Sequence, residues 1–203
     1  MDRQALLVPA ERLGRWVENF AARHDGAVLS VADGELRGAG GDGSTFTLRP
    51  PFSAAYAGPA DLEAFSATLR PPPSWGVLLV RKGGFAVARL EGERTVESKT
   101  GQRHVQGRTK AGGQSQQRFA RRRDNQARQA YEAAAEHAAR ILAGTRLVVT
   151  GGDHDAVSAV LEDRRLAHLE VVGPWLPVPD PRRSVLEGAV TSALSVSVEV
   201  VNA

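Results

Sequence analysis

At 203 residues, 42% of them apolar and 24% charged, the chain can bury one real core, with room for a small appendage. The lack of cysteine excludes disulfide scaffolds, cysteine-ligated zinc, iron–sulfur sites and thiol nucleophiles, and no apolar run reaches the roughly 20 residues that a membrane helix needs. Net charge is only +3, but nine bases and one acid between Lys99 and Arg128 give that stretch +8 and leave −5 on the rest, the pattern of a polyanion-binding surface.

Residues 1–70 read as an α+β extension or subdomain. The opening MDRQALLVPAERLGRW has no basic segment followed by an apolar one, so no secretory signal is expected and the expected location is the cytoplasm. Leu13, Trp16, Val17 and Phe20 recur at helical spacing and predict a helix over 11–23. Strands are expected over 27–36 and 44–48. A helix is expected over 59–69, with Pro59 at its first position and Leu62, Phe65 and Leu69 on one face. Pro71-Pro72-Pro73 is a stiff connector and marks a boundary.

Beyond it, 75–80, 85–90 and 94–98 predict a three-strand meander, punctuated by Lys82-Gly83-Gly84 and Gly92. The polar, glycine-rich stretch that follows lacks apolar periodicity. Residues 104–114 have too little apolar content to offset their ordering entropy, so they are expected to order only on a target. One long helix is expected over 115–142. Its stripe of Phe119, Ala127, Tyr131, Ala134, Ala138 and Ile141 is clean only from Ala127 onward, and the earlier turns are mostly polar and basic. Strands over 146–150, 170–172 and 196–201 then alternate with helices over 155–166 and 181–193. The expectation is an α/β fold over 75–203, a mixed sheet flanked by helices.

Gly38-Ala39-Gly40-Gly41-Asp42-Gly43 matches the dinucleotide-binding spacing, but strand-like Thr45–Leu48 follows where a helix is required, so it reads as a hairpin loop. Asp153-His154-Asp155 reads as a strand-to-helix turn with an N-cap rather than a metal site. The five histidines have no metal-ligand spacing, and no conventional nucleophile–base pair is legible. No metal and no cofactor is expected.

Gly112-Gly113-Gln114 stands where the basic loop meets the long helix, within GRTKAGGQSQQRFARRRDNQARQAYE. A glutamine amide does not titrate near neutral pH and is unsuited to general-base work. It can position water, and its backbone N–H can face an oxyanion or a leaving hydroxyl. One such preorganised donor contributes about 3–4 kcal/mol. Gly112 and Gly113 allow positive φ and close backbone approach. Arg108, Lys110, Arg118, Arg121, Arg122, Arg123 and Arg128 flank the tripeptide and can neutralise RNA phosphates.

GGQS followed by RFARRR resembles the catalytic middle domain of eukaryotic and archaeal class I translation release factors. The chain is too short for that whole architecture. It looks like the Vms-like release factors, peptidyl-tRNA hydrolases of ribosome quality control, and specifically their actinobacterial branch. The resemblance covers roughly 75–203. It implies a release-factor middle-domain-like fold with a long helix after a GGQ loop. It further implies peptidyl-tRNA hydrolysis on the large ribosomal subunit, with catalytic Gln114, Gly113 and Gly112. The implied partners are ribosomal RNA and peptidyl-tRNA, with no membrane and no DNA. A non-catalytic rRNA-binding module of ribosomal-protein type is the alternative. A nuclease is disfavoured, because no carboxylate cluster for metal is evident.

Overall fold

The computed structural model describes the backbone of residues 2–102 and 114–203, and the side chains of 3–101 and 128–203. Ten strands, five α-helices and a short 3-10 turn are formed among them. They are β1 (Asp2–Val8), α1 (Ala10–Arg23), β2 (Val28–Ala32), β3 (Glu35–Ala39), β4 (Thr45–Arg49) and α2 (Leu62–Ala67), then β5 (Trp75–Arg81), β6 (Gly84–Glu91) and β7 (Arg94–Gln102). After these come α3 (Gln114–Ile141), β8 (Leu147–Gly152), α4 (His154–Leu161), β9 (Glu170–Leu176), α5 (Arg183–Ala193) and β10 (Val196–Asn202).

The chain divides into two compact units. The first is Met1–Pro71 with Val190–Ala203, and the second is Pro72–Ala189. The sequence reading assigned 75–203 to a single mixed sheet. Instead there are two five-stranded sheets, and β10 belongs to the first, between β1 and β4 in the order β1-β10-β4-β3-β2. The partners of β10 lie about 150 (β4) and about 190 (β1) residues earlier, pairings that no local pattern records.

In the first unit, Leu13, Val17 and Phe20 of α1 pack on the sheet face formed by Val8, Leu36, Phe46, Leu48, Val196, Val198 and Val200. The stretch 27–36 is not one strand. Asp33 and Gly34 take φ of 52° and 77° and turn it into the β2–β3 hairpin, the Asp-Gly signal of a tight two-residue turn. Pro59 does not open α2. The helix starts after Asp61, whose carboxylate accepts from the Ala64 N–H at 2.7 Å. The loop between β3 and β4 holds the glycine-rich run, closed by Gly40 N–H to Ser44 O at 2.8 Å, and no helix follows it.

The opposite face of this sheet carries a row of alternating charge. Arg3 meets Glu199 at 2.5 Å, Glu199 meets Arg49 at 3.1 Å, and Arg49 meets Glu35 at 2.5 Å. Arg37 continues it to Glu35 at 3.0 Å and Asp33 at 2.7 Å. Burial raises the Glu35 carboxyl, but hydrogen bonds from Arg49 and Arg37 outweigh it and hold it below the usual carboxylate range. The Arg49 hydrogen bond does the same for Glu199.

The second sheet has the order β7-β6-β5-β8-β9. β5 to β7 form the expected antiparallel meander, and β5, β8 and β9 run parallel. From Trp75 to Val80 the central strand β5 is buried at every position, which explains its unbroken apolar run. Ala134, Ala135, Ala138 and Ile141 of α3 and Leu142 just after it join Leu78, Val80, Phe85 and Val87 in its core, together with Ala156, Val157 and Val160 of α4. The expected helix over 155–166 is shorter: α4 ends at Leu161, and Arg164–Leu166 forms a 3-10 turn begun by Asp163. Hydrogen bonds from Arg165 hold the Asp163 carboxyl at about 2. The ordering expectation for the loop falls on 104–113, outside the described residues.

Candidate functional site

The site is built on α3. Its 28 residues, at 1.5 Å each, make a rod of about 42 Å. The C-terminal half is fixed by burial of the small and aliphatic stripe named above. The His137 ring stacks on Phe85 of β6, with centroids 5.5 Å apart and planes 25° apart. Arg140 forms an ion pair with Glu97 of β7. Tyr131, half-buried, is the outermost large side chain of this anchored half. Its hydroxyl is pushed above its ordinary value by burial, then by the negative charges of Asp153 and Asp155.

Gln114 is the first residue of α3. From Tyr131 back to Gln114 is seventeen residues, or roughly 25 Å of helix. Arg118, Arg121, Arg122, Arg123 and Arg128 therefore share one continuous helix with Gln114, all within its first fifteen residues. Gly112, Gly113, Arg108 and Lys110 lie outside the described residues, as do the side chains of Gln114 and the first four arginines. The first turn of α3 contains no acidic residue, so nothing there offsets the partial positive charge of the helix N-terminus. Arginines in the following turns add to that charge, and a helix of this composition favours an anion at its start.

Arg128 is described. Its side chain is 73% exposed and lies 3.8 Å from Glu132 one turn on. A long, exposed pair with the base on the N-terminal side is worth little. Arg128 thus remains available to a phosphate.

At the carboxyl ends of the parallel strands, Gly151 and Gly152 lead into the Asp153-His154-Asp155 turn. Asp153 caps α4 by accepting from the Ala156 N–H at 3.2 Å, as its position after a strand predicts. The His154 ring stacks on Trp175 at 3.6 Å. Among the described residues no group of three or more histidines, aspartates or glutamates could hold a metal ion. A cavity of about 680 Å³ runs beside α3, bordered by Phe85, Gln129, Glu132, Glu136 and Arg165. Two carboxylates and one guanidinium on its border make it a poor phosphate site. The anchors Phe85–His137 and Glu97–Arg140 were not legible in the sequence, because each pair is made by tertiary packing across more than forty residues. No helix among the described residues is long and apolar enough to cross a membrane.

The fold is similar to the crystal structure of the archaeal translation termination factor aRF1, with a TM-score of 0.44 and 14% identity, over 94% of this chain and 64% of that one. A second archaeal protein gives a TM-score of 0.38 and 13% identity, over 92% of this chain and 63% of that one. The chain thus spans just under two thirds of the length of these structures. No curated protein matches the sequence. The family profile described as "Actinobacteria/chloroflexi VLRF1 release factor" matches residues 73–199, well over half of the chain, and with that match the chain belongs to the VLRF1 release factor family.

Proposed function

We propose that this protein hydrolyses peptidyl-tRNA on the large ribosomal subunit, with Gln114 as its catalytic residue. Family membership gives the coarser statement, a release factor acting in translation at the ribosome. The finer reading rests on one observation above all: Gly112-Gly113-Gln114 immediately precedes and opens a 28-residue helix whose following turns carry four arginines.

The ester of a peptidyl-tRNA is already activated. The catalyst has to bring water to the carbonyl and stabilise the charge that develops there. The Gln114 carboxamide holds the water, and its backbone N–H faces the oxyanion or the leaving hydroxyl. Gly112 and Gly113 let the backbone approach RNA where a Cβ would collide. Arg108, Lys110, Arg118, Arg121, Arg122, Arg123 and Arg128 neutralise phosphates along the way in. The helix supplies reach and its buried half supplies rigidity, so that orientation adds to the rate. The reaction belongs to the cytoplasm, where ribosomes carry stalled chains.

The test is release of labelled peptide from ribosome-bound peptidyl-tRNA. Gln114→Ala is expected to lower the single-turnover rate by 10²–10³ with thermal stability unchanged within about 0.5 kcal/mol. Gly113→Ala is expected to impair release as well. Undiminished release by Gln114→Ala removes Gln114 from the chemistry, whereas ribosome binding by the wild-type protein without any release assigns it instead to non-catalytic rRNA binding.

A further inference from the structure

Between α1 and the strands β1 and β10, the core seam of the first unit opens at one end into a pocket of about 250 Å³. Phe20 and Val200 form its floor. Its border is Gln4, Leu6, Trp16, Asn19, Arg23, His24 and Asn202. The sequence explains the opening. Along one stripe α1 passes from Trp16 and Phe20 to Arg23 and His24, with Asn19 at its edge. On the facing sheet surface β10 passes from Val196, Val198 and Val200 to Asn202, and its antiparallel partner β1 passes from Val8 and Leu6 to Gln4. Three elements thus turn from apolar to polar at the same end.

Each polar group there retains hydrogen-bonding capacity. Among the described residues, the carboxamides of Gln4, Asn19 and Asn202, the Arg23 guanidinium and the Trp16 indole N–H have no partner. His24 uses Nδ1 toward Asp42 at 2.8 Å, which leaves Nε2. The indole ring is held from behind, stacked on Phe20 at 6.0 Å and edge-on to Phe46 at 5.3 Å. No carboxylate borders the pocket, so a cation has no counter-charge. The volume is below the roughly 300 Å³ at which drug-sized ligand sites begin. A flat ring with alternating donors and acceptors on its edge fits carboxamides that offer both, and an aromatic wall adds stacking.

We propose that this pocket takes one unpaired base of single-stranded RNA, with Arg23 on the adjoining phosphate. It is an RNA contact separate from the basic helix α3, and it does not depend on hydrolysis at Gln114.

The experiment is NMR titration of the full chain, observing the Trp16 indole N–H and the Gln4, Asn19 and Asn202 carboxamides. The probes are a five-nucleotide RNA, an abasic strand of the same backbone length, and AMP. The RNA is expected to shift these signals and to bind at least tenfold more tightly than the abasic strand. The double variant Asn19→Ala, Asn202→Ala is expected to weaken RNA binding at this site about tenfold without changing the melting temperature. Trp16→Phe keeps a ring against Phe20 and Phe46 and is expected to weaken it several-fold. Equal binding of the abasic strand, shifts confined to α3, or AMP binding as tightly as the RNA would each overturn the proposal, the last by marking a free-nucleotide site.

Discussion

Gly152 shows how one residue fixes the junction beneath α4. Its φ is +105°, and a Cβ built on it would lie 2.3 Å from the Val80 carbonyl oxygen. That oxygen accepts from the Asp153 N–H at 2.9 Å, and Asp153 in turn caps α4. Alanine at 152 therefore meets both a disfavoured backbone conformation and a backbone clash that no side-chain rotation relieves. Gly152→Ala is expected to lower unfolding free energy by about 2 kcal/mol or more, read as a reduced urea midpoint with unchanged slope. A midpoint equal to wild type contradicts the clash. Gly144, beyond the end of α3, has open space around its Cβ position and serves as the control.

Among the elements, α3 divides into an anchored half and a half that carries the arginines proposed to meet RNA. Replacing Arg121, Arg122 and Arg123 by alanine is expected to weaken ribosome association and flatten its salt dependence. The logarithmic slope should fall by about 0.7–0.9 for each lost phosphate contact, while single-turnover release at saturation falls far less than with Gln114→Ala. An unchanged slope removes these arginines from the RNA footprint. In the first sheet, the charge row makes a pH-dependent contribution. Glu35 and Glu199 bind protons more weakly in the folded state than in the unfolded chain. Their contribution is therefore complete above the ordinary carboxylate value of about 4.3 and declines as pH falls below it. The stability gap between wild type and Glu199→Gln should narrow from pH 6 to pH 3.5 in urea melts, and a constant gap rules this out.

The extent to which these elements could be read from the sequence follows from how local their causes are. The α1 stripe, the meander β5–β7, the length of α3 and the Asp153 cap are set by residues within a few positions of one another, and each was visible. β1 is not legible because Ala5-Leu6-Leu7-Val8 runs into α1 without alternation, and its strand neighbour β10 lies nearly 190 residues further on. The hairpin at Asp33-Gly34 has a local cause too, its dipeptide signal. At the candidate site, the tripeptide and the arginines could be read because they are a contiguous motif. The anchors of α3 and the polar end of the α1 seam could not, because they exist only once distant strands are paired.

For the whole molecule, the second unit is an insertion between two parts of the first. Removing residues 196–203 takes from β1 its only strand partner among the described residues and unpairs one edge of β4. Hydrogen exchange on that truncated protein is expected to show loss of protection across α1 and β2–β4, with the β5, β6 and β8 amides still protected. Equal loss in both units would mean that they unfold as one.

The same arrangement sets an order of events during biosynthesis. When β4 has been translated, 146 residues remain before β10 begins. At about 5–20 residues per second, that is on the order of ten seconds or more. Throughout this interval Phe46 and Leu48 belong to a three-strand meander whose inner edge is open, while β1 has nothing to pair with. All five strands of the second sheet lie between residues 75 and 176, so it can close while the first still waits. The first sheet thus cannot be completed until β10 has been made, and until then the open edges of β1 and β4 are exposed to wrong partners.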